Sequence, residues 1–571
     1  MKRSENGSAL PLALLVLLLV SVLGVTLFSL GMTEVAIGTN WRAYSSAFYA
    51  ADAGVESGVV ALRDLLSKTP NPAPADLKNI STPPAFLTAK NITFTNFSIT
   101  TALPASPYSY ATTFTTGPYT GLSGFVTDYQ VTAQVTGEGG TKANLTQIVR
   151  YVQVPLFQFG VFYGKGVDLE VSPGPPMTFN GRVHANSNIY ALANTTLQFD
   201  SYITTTGGIY RRVKAESAHP LGGNPQIKDA NGIYRELNFD SDYKPGFMSK
   251  WASPQEWKDY AQSVFGPGGK ESTVKDKAMG VGEIIPPIPG LFYNPSNPDV
   301  VAHQMIEMAQ PGDSAELKAA KLYSRADLRI IDGVATDRNG NPVSLPAGAI
   351  STTTFWDKRE QRDMTVVNVK IATLGSAAPA NGILYVASTG GPGNAVRLVN
   401  GEKLPSQGLT VVSQNPVYVQ GDYNTVNKVP AAILGDAITV LSNNWGPNSS
   451  DSKGNQVTSN RPASDTTVNA AFALGPSAES VLDLENGNLV NIMRFLEDWK
   501  GKTFEYKGSI VALWHSREAT APFCCAYPTG GFNYYYKAPT RKWSYDTMFN
   551  TNPPPGTPSG VIMMKGQWTQ Q

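Results

Sequence analysis

The sequence has very little cysteine. Its 571 residues contain only two, Cys524 and Cys525, and these are adjacent. Adjacent cysteines exclude a disulfide framework and a cysteine-rich zinc site. Two interpretations stay open, a vicinal disulfide closed in an oxidising compartment, or two small buried residues or free thiols.

Charge is also scarce. Charged residues make up 16% of the chain and balance to a net charge of +1. This balance encodes no overall attraction to nucleic acid or anionic lipid, so such binding would have to come from local groups of residues. Low charge with 53 glycines and 41 prolines is typical of a β-rich extracellular protein. The length predicts more than one domain.

Motifs for catalysis are missing as well. The four histidines are scattered without zinc-site spacing, and the chain has no phosphate-binding loop, nucleophile elbow or clustered carboxylates. Residues 337–341 resemble the start of a calcium loop, but Pro342 replaces the required glycine and Gly348 the glutamate, so a turn is predicted. We therefore predict no enzyme activity, no metal and no cofactor.

The N-terminus contains a long run without charge. Lys2 and Arg3 precede it, and no charged residue occurs from Ser8 to Met32. A helix of this length crosses the hydrocarbon layer of about 30 Å. The basic flank predicts a single pass with a cytoplasmic N-terminus. A secretory signal peptide fits less well, because the run is too long and no clear cleavage site follows it.

Apolar residues continue beyond this run at a spacing of three to four. The set that marks one face comprises Phe48, Ala51, Val55, Val59, Leu62 and Leu66. This spacing predicts one long helix over residues 10–66, with its first half in lipid and its second half packed on a sheet.

These residues carry a resemblance to a known family. Gly7-Ser8-Ala9-Leu10, the apolar run and residues 42–54 resemble the N-terminus of PilX-type minor pilins. The resemblance implies that a prepilin peptidase cuts between Gly7 and Ser8, so that residues 1–7 are a leader and residues 8–66 a membrane and amphipathic pilin helix. Leu12 would stand at the fifth mature position, where major pilins usually carry a glutamate. A subunit without that glutamate suits the filament tip, although PilX-like proteins also lack it elsewhere.

The rest of the chain favours β structure. Alternating runs in residues 67–155 predict the antiparallel sheet of a pilin. Residues 156–485 hold many short strands without a strict period, which favours an inserted β-solenoid over a sandwich, with a helical insertion at about 251–331. Residues 486–571, beginning with an amphipathic helix at 489–499, are expected to return to the pilin domain. The predicted class is α+β, mostly β.

Three local basic groups are candidate DNA contacts, with cations for phosphates and aromatic rings for bases. Ordinary solvated charges and tyrosines in strands explain the same residues. The candidates are Arg211, Arg212, Lys214, Lys358, Arg359, Arg362, Tyr536, Lys537, Arg541 and Lys542.

The large β insertion also resembles competence-associated pilins of the ComZ type. That resemblance implies a minor pilin at or near a type IV pilus tip that binds extracellular DNA without sequence preference during natural transformation. The alternative is a structural or adhesive minor pilin that primes assembly and binds surfaces or glycans. Expected partners are major and minor pilins, the prepilin peptidase, the assembly machinery and the membrane. The expected location is the inner membrane, then the pilus on the cell surface.

Overall fold

A computed structural model describes residues 9–88, 92–103, 109–115, 117–214, 222–241, 250–286, 289–446, 458–477, 489–521, 523 and 535–570. Four residues singled out above, Gly7, Ser8, Cys524 and Cys525, lie outside this part of the chain. The helices are α1 (Ala9–Lys68), α2 (Pro74–Asn79), α3 (Ala85–Thr88), α4 (Pro254–Phe265), α5 (Pro289–Phe292), α6 (Pro298–His303), α7 (Ala315–Ala320) and α8 (Leu322–Arg325).

Most of the described chain is in strands. The first half contains β1 (Thr93–Thr101), β2 (Ser109–Thr113), β3 (Ser123–Thr136), β4 (Lys142–Pro155), β5 (Val161–Tyr163), β6 (Leu169–Val171), β7 (Met177–Phe179), β8 (Val183–Ala185), β9 (Ile189–Ala191), β10 (Leu197–Phe199), β11 (Ile203–Thr205), β12 (Ile209–Tyr210), β13 (Gln226–Lys228), β14 (Tyr234–Glu236) and β15 (Val274–Lys275). The second half contains β16 (Leu328–Ile331), β17 (Val334–Asp337), β18 (Ile350–Asp357), β19 (Arg362–Lys370), β20 (Ile383–Ala387), β21 (Asn394–Val399), β22 (Leu409–Val412), β23 (Val417–Gln420), β24 (Ala431–Leu434), β25 (Ile438–Leu441), β26 (Thr466–Val468), β27 (Ala471–Ala473), β28 (Arg494–Phe495), β29 (Thr503–Gly508), β30 (Ile510–Ala512), β31 (Thr540–Tyr545) and β32 (Ser559–Gln570).

The first sheet lies beside α1 and is antiparallel. Its order is β1-β3-β4-β32, and β2 also pairs with β3. The last strand, β32, runs along β4 from the Ser559–Pro155 pair to the Gln570–Leu145 pair. The C-terminal end of the chain therefore returns to the sheet that the N-terminal part begins.

The second half of α1 packs on this sheet through small and branched residues. Ala47, Ala51, Val55 and Val59 are at most 2% exposed. Glycines let the helix come close: a Cβ atom at Gly54 would lie 2.7 Å from the Phe94 ring, shorter than real contacts allow. The predicted long helix with one apolar face is thus present, and its packed face continues to Leu66.

Enlarging a helix glycine should test this close approach. A Cβ atom at Gly58 would lie 2.6 Å from Val131 Cγ1, so we expect Gly58→Val to lower the free energy of unfolding by about 1–3 kcal/mol through overpacking. Urea unfolding of the full chain in detergent would measure it. Gly38→Val is the matched control, because nothing lies within 4 Å of a Cβ atom at Gly38. Equal effects of the two substitutions would contradict the packing argument.

Short parallel strands dominate the inserted body. In one ladder β6, β9 and β12 pair in register, with Leu169 opposite Ile189 and Ile189 opposite Ile209. Side chains bonded across such rungs, as in Thr178 to Gln198, are 20 residues apart. The step lengthens elsewhere, because Gln198 bonds to Gln226 across 28 residues. Unequal loops explain why the sequence shows no strict period.

One sheet of eleven strands joins both halves of the body. Its order is β15-β11-β8-β5-β30-β27-β24-β22-β20-β16-β17. The chain enters this stack in the middle, at β5, and extends it in one direction as far as β15. It then resumes at the opposite end, at β16, and works back until β30 pairs with β5. Apart from β17, which pairs antiparallel with β16, the neighbours in this sheet are parallel.

Antiparallel hairpins occur late in the first half of this body and at the start of the second. β13 pairs with β14 after the first series, and β16 with β17 and β18 with β19 at the start of the second. Helices α4 to α8 lie between β14 and β16, with β15 following α4. The α+β, mostly β class is therefore observed. The solenoid assignment stays a prediction, and no sheet in the described ranges closes into a barrel.

The amphipathic helix predicted at 489–499 is wrong. Residues Leu489–Asn491 form a single 3-10 turn, and Arg494–Phe495 is the strand β28, which pairs with β25. The helical spacing arose because Phe495 belongs to the large central core, whereas Leu496 joins a smaller one with Trp445. Burial on two sides mimics an amphipathic pattern, and periodicity alone does not separate the two.

Candidate functional site

The first half of α1 presents a continuous exposed apolar surface, which we call the bare half, or bare stem, of α1. Its large hydrophobic residues from Leu10 to Ile37 are each between 52% and 75% exposed. Soluble proteins rarely expose a continuous apolar surface of this size to water. The surface therefore marks a contact with lipid or with other apolar helices. α1 passes the length and composition test for crossing a membrane, as the sequence predicted.

Leu12 lies within this bare surface, 67% exposed. A carboxylate there would face the same apolar surroundings and would need a cationic partner. Leucine instead keeps the run uncharged up to Glu34. The predicted cleavage site at Gly7 and Ser8 lies outside the described residues, so it stays a prediction.

The two halves of α1 thus have different environments within one unbroken helix. Beyond Trp41 the side chains alternate between solvent and the sheet, and by Ala47 one face is fully buried. This arrangement, a bare apolar stem that continues into a helix packed on an antiparallel sheet, is what the sequence resemblance implied.

Comparison with known families agrees with this geometry. Residues 6–56 match the family model described as PilX N-terminal. The match spans the bare half of α1 and the first turns of its packed half, including Gly54. It supports a PilX-type minor pilin N-terminus and a pilin membrane anchor. No curated protein and no solved structure matches the chain, so the comparisons give no support to the ComZ-type resemblance.

The first predicted basic group is largely satisfied internally. Arg211 is 9% exposed and donates to the Gly222 carbonyl oxygen. Lys214 Nζ lies 3.0 Å from Asp168 Oδ2. The guanidinium of Arg212 lies over the Tyr210 ring, 4.9 Å from its centroid. Within this group, only Arg212 and Lys214 are partly accessible.

The second group requires a correction. Lys358 and Arg359 are each 3% exposed, because the turn between β18 and β19 is folded inwards. Arg359 Nη2 donates to Ser477 Oγ at 2.8 Å, and burial lowers the pKa of Lys358 to about 8. Arg362 lies 3.7 Å from Glu360. Lys358 and Arg359 do not form the surface group that the sequence suggested.

The third group is also partly internal. Tyr536 is 3% exposed and stacks on Phe495 at 5.9 Å. Arg541 is partly buried and donates to Asn491 Oδ1 at 3.1 Å. Lys537 Nζ lies 2.6 Å from Asp498 Oδ2. The aromatic residues 532–534 lie outside the described residues.

Lys542 is exposed, and its register partner on β29 is the exposed Glu505. An acidic side chain therefore accompanies several of the accessible basic candidates: Asp168 beside Lys214, Glu360 beside Arg362, Asp498 beside Lys537, and Glu505 in register with Lys542. Phosphate binding needs uncompensated positive charge. The candidates thus do not combine into one positive surface in the described part of the chain.

Sequence analysis missed a buried polar network. His303 Nδ1 lies 2.8 Å from Glu307 Oε1, and its Nε2 lies 3.2 Å from Asp436 Oδ1. Asp436 is fully buried and also accepts from the Arg517 backbone N–H at 2.6 Å. The network joins α6 to the stack. His303 and Asp436 are 133 residues apart, so no local motif could have announced their contact.

Buried acids should make stability depend on pH. Glu497 is fully buried, and desolvation raises its pKa from 4.5 to about 7 although Ser442 donates to it twice. Desolvation likewise raises the pKa of Glu518 to about 7. A raised folded-state pKa gives stability that is complete below the unfolded-state pKa and is lost as pH rises through the folded-state value. Burial lowers the pKa of His184 to about 4, which acts in the opposite sense, but the two carboxyls outweigh one imidazole. We therefore expect a higher unfolding midpoint at about pH 5 than at about pH 7.5.

Thermal unfolding across this range would measure the effect. Glu497→Gln removes one of the two titrating carboxyls and should make the profile shallower, whereas Glu505→Gln, at an exposed site, should leave it unchanged. A midpoint that rises from pH 5 to 7.5 would contradict the expectation.

Proposed function

We propose that this chain is a minor pilin of a type IV pilus, which holds its place through α1 and displays the β-rich body outside the cytoplasm. In this proposal α1 sits in the inner membrane before assembly and among the helices of other pilins afterwards. The main supporting observation is that the bare apolar half of α1 continues without a break into a half that packs on the first sheet. The prepilin peptidase and the assembly machinery are the proposed partners, and the role is proposed to be non-enzymatic.

The favoured role is structural, in priming assembly or presenting an adhesive surface. The absence of a carboxylate at Leu12 supports a position at or near the tip, where the subunit does not have to neutralise a neighbour's amino terminus in the apolar core. The pairing of basic candidates with acids also favours this role over DNA capture.

A charge placed in the bare half should test the proposal. Leu17 is 69% exposed, and an arginine there would cost about 2.5–3.5 kcal/mol at the centre of a membrane helix. We expect Leu17→Arg to fail to restore pili in cells that lack the gene. Val60→Arg is the matched control, because Val60 is 63% exposed on the outer face of the packed half. Restoration by Leu17→Arg would overturn the anchoring role.

DNA capture is the second candidate, and one arrangement favours it. Tyr190 and Tyr210 stack at 5.0 Å on adjacent parallel strands, with Arg212 over the second ring. Stacked rings beside a cation are a platform on which exposed bases can stack. A DNA titration at several salt concentrations would distinguish the candidates, with Arg212→Glu compared with Lys403→Glu at an exposed site elsewhere. Salt-sensitive binding lost only in Arg212→Glu, with normal piliation after gene deletion, would favour DNA capture.

A further inference from the structure

Aromatic residues surround the place where α1 leaves the sheet. This exit rim consists of Trp41, Arg42, Tyr44, Tyr49, Lys142 and Trp568. The end of β32 closes it, because Gln570 donates to the Tyr44 hydroxyl and the Trp568 ring meets Phe48 edge-on at 6.2 Å.

The turn between β3 and β4 forms the other side of the exit rim. A Cβ atom at Gly137 would lie 3.3 Å from Ala47 Cβ, which places this turn at the same level of α1. Lys142 follows that turn and is exposed, as is Arg42. The exit rim therefore combines rings and positive charge on the side of the sheet from which the stem emerges.

Tryptophan is distributed unevenly over the molecule. The chain has nine, all within the described ranges. Trp41 and Trp568 are 70% and 43% exposed, whereas the other seven are buried or half-buried. Both exposed tryptophans thus belong to the exit rim, and Tyr49 beside them is 69% exposed. In water these exposed rings do not gain the hydrophobic stabilisation that burial gives the other seven tryptophans.

The length of the bare stem accounts for this placement. Exposed apolar residues run from Leu10 to Ile37, with Glu34 the one charged residue among them. This is a helical length of about 40 Å at a rise of about 1.5 Å per residue. A bilayer including its headgroup layers is about 40–45 Å thick. Trp41 follows about one helical turn later in the same unbroken helix, so no linker separates the stem from the exit rim.

We propose that, before assembly, the exit rim rests in the headgroup layer of the membrane that α1 crosses. Tryptophan and tyrosine are enriched at this depth because their rings are apolar and their N–H and O–H groups remain hydrated. Arg42 and Lys142 face anionic headgroups. The folded body is then seated directly on the bilayer. This inference rests on the proposed anchoring by α1 and adds a second membrane contact.

Quenching of tryptophan fluorescence by brominated lipid tests whether the exit rim is seated in the headgroup layer. The full chain is reconstituted into vesicles of phosphatidylcholine and phosphatidylglycerol whose acyl chains carry bromine close to the headgroup end. We expect a marked loss of tryptophan emission relative to unbrominated vesicles. Trp41→Phe/Trp568→Phe should lose most of the quenchable emission, whereas Trp543→Phe, at a half-buried site in β31, should keep it. Circular dichroism of each variant verifies that it is folded.

The outcomes separate the two proposals. A chain that floats with the vesicles but shows no quenching overturns the seat and leaves the α1 anchor standing. Failure to float overturns both. Unquenched emission in vesicles, together with protection of Trp41 from an aqueous quencher in assembled pili, would identify the exit rim as a contact between subunits and would also overturn the seat.

Discussion

Arg494→Met is expected to destabilise the chain by about 3 kcal/mol, because it removes the nearer of the two cations beside the buried Glu360 carboxylate and leaves only Arg362, at 3.7 Å. Arg494 is 4% exposed, and its Nη1 lies 2.6 Å from Glu360 Oε1. The same guanidinium donates to Ser477 Oγ and to the Ala519 carbonyl oxygen. In the variant, Glu360 would keep the Ala521 backbone N–H at 3.2 Å. Total stabilities of about 5–15 kcal/mol make such a loss severe.

Urea unfolding of the full chain in detergent would measure this loss. Glu360→Met/Arg494→Met should recover most of the stability, since replacing both members of a buried pair with apolar residues is often neutral. Arg338→Met is the exposed control. Its ion pair with Asp327 has a half-exposed arginine and should contribute less than about 1 kcal/mol. If Arg494→Met costs no more than Arg338→Met, the buried pair does not stabilise the fold.

Removal of β32 is expected to abolish the first sheet, β1-β3-β4-β32. A chain ending after Pro558 would lose every β32 pair with β4. It would also lose the buried side chains of Val561 and Ile562, which are 5% and 7% exposed, and would expose the core residues that they cover. We expect the truncated chain to be degraded in cells and to give no pili, because an uncovered edge and core invite proteolysis and aggregation.

A shorter truncation provides the control. A chain ending after Lys565 keeps the inner half of β32 and the ion pair of Lys565 Nζ with Glu56 Oε1 at 2.6 Å. Of the residues it removes, the described ones, 566–570, are exposed or half-buried. Its steady-state level, measured by immunoblot, should stay close to that of the full chain. Equal loss of both truncated chains would show that the outer end of β32 matters as much as its buried pairs.

The sequence predicted α1 and the strands up to β4 well because their signals are local. The apolar spacing from Phe48 to Leu66 is set by one helix, and the alternation in residues 146–152 by one strand. Each pattern reflects burial on a single side. The prediction of a helix at β28 was wrong, because Phe495 and Leu496 are buried against different cores.

The candidate surfaces were harder to predict because acidic partners come from distant parts of the chain. Lys214 pairs with Asp168, which lies 46 residues earlier in the chain. Arg359 donates to Ser477 and to the Ala521 carbonyl oxygen, more than 100 residues later, and these contacts help to bury its turn. A run of basic residues in a sequence does not reveal whether it is covered. The bare stem needed no such partner, so the sequence predicted it, whereas the role of Leu12 stays a prediction.

The entry of the chain into the middle of the stack sets the order in which the protein can fold as the chain emerges. Ser509 bonds to the Phe159 carbonyl oxygen at the junction of β5 and β30, across 350 residues. Strands β5 to β13 can pair soon after they emerge, but one edge of β5 stays open until β30 arrives. Closing so long a loop is slow, and an open parallel edge can add a strand from another molecule. The last portion of the chain to emerge thus closes both the stack and the first sheet, and we expect this protein to depend most on chaperones before that portion arrives.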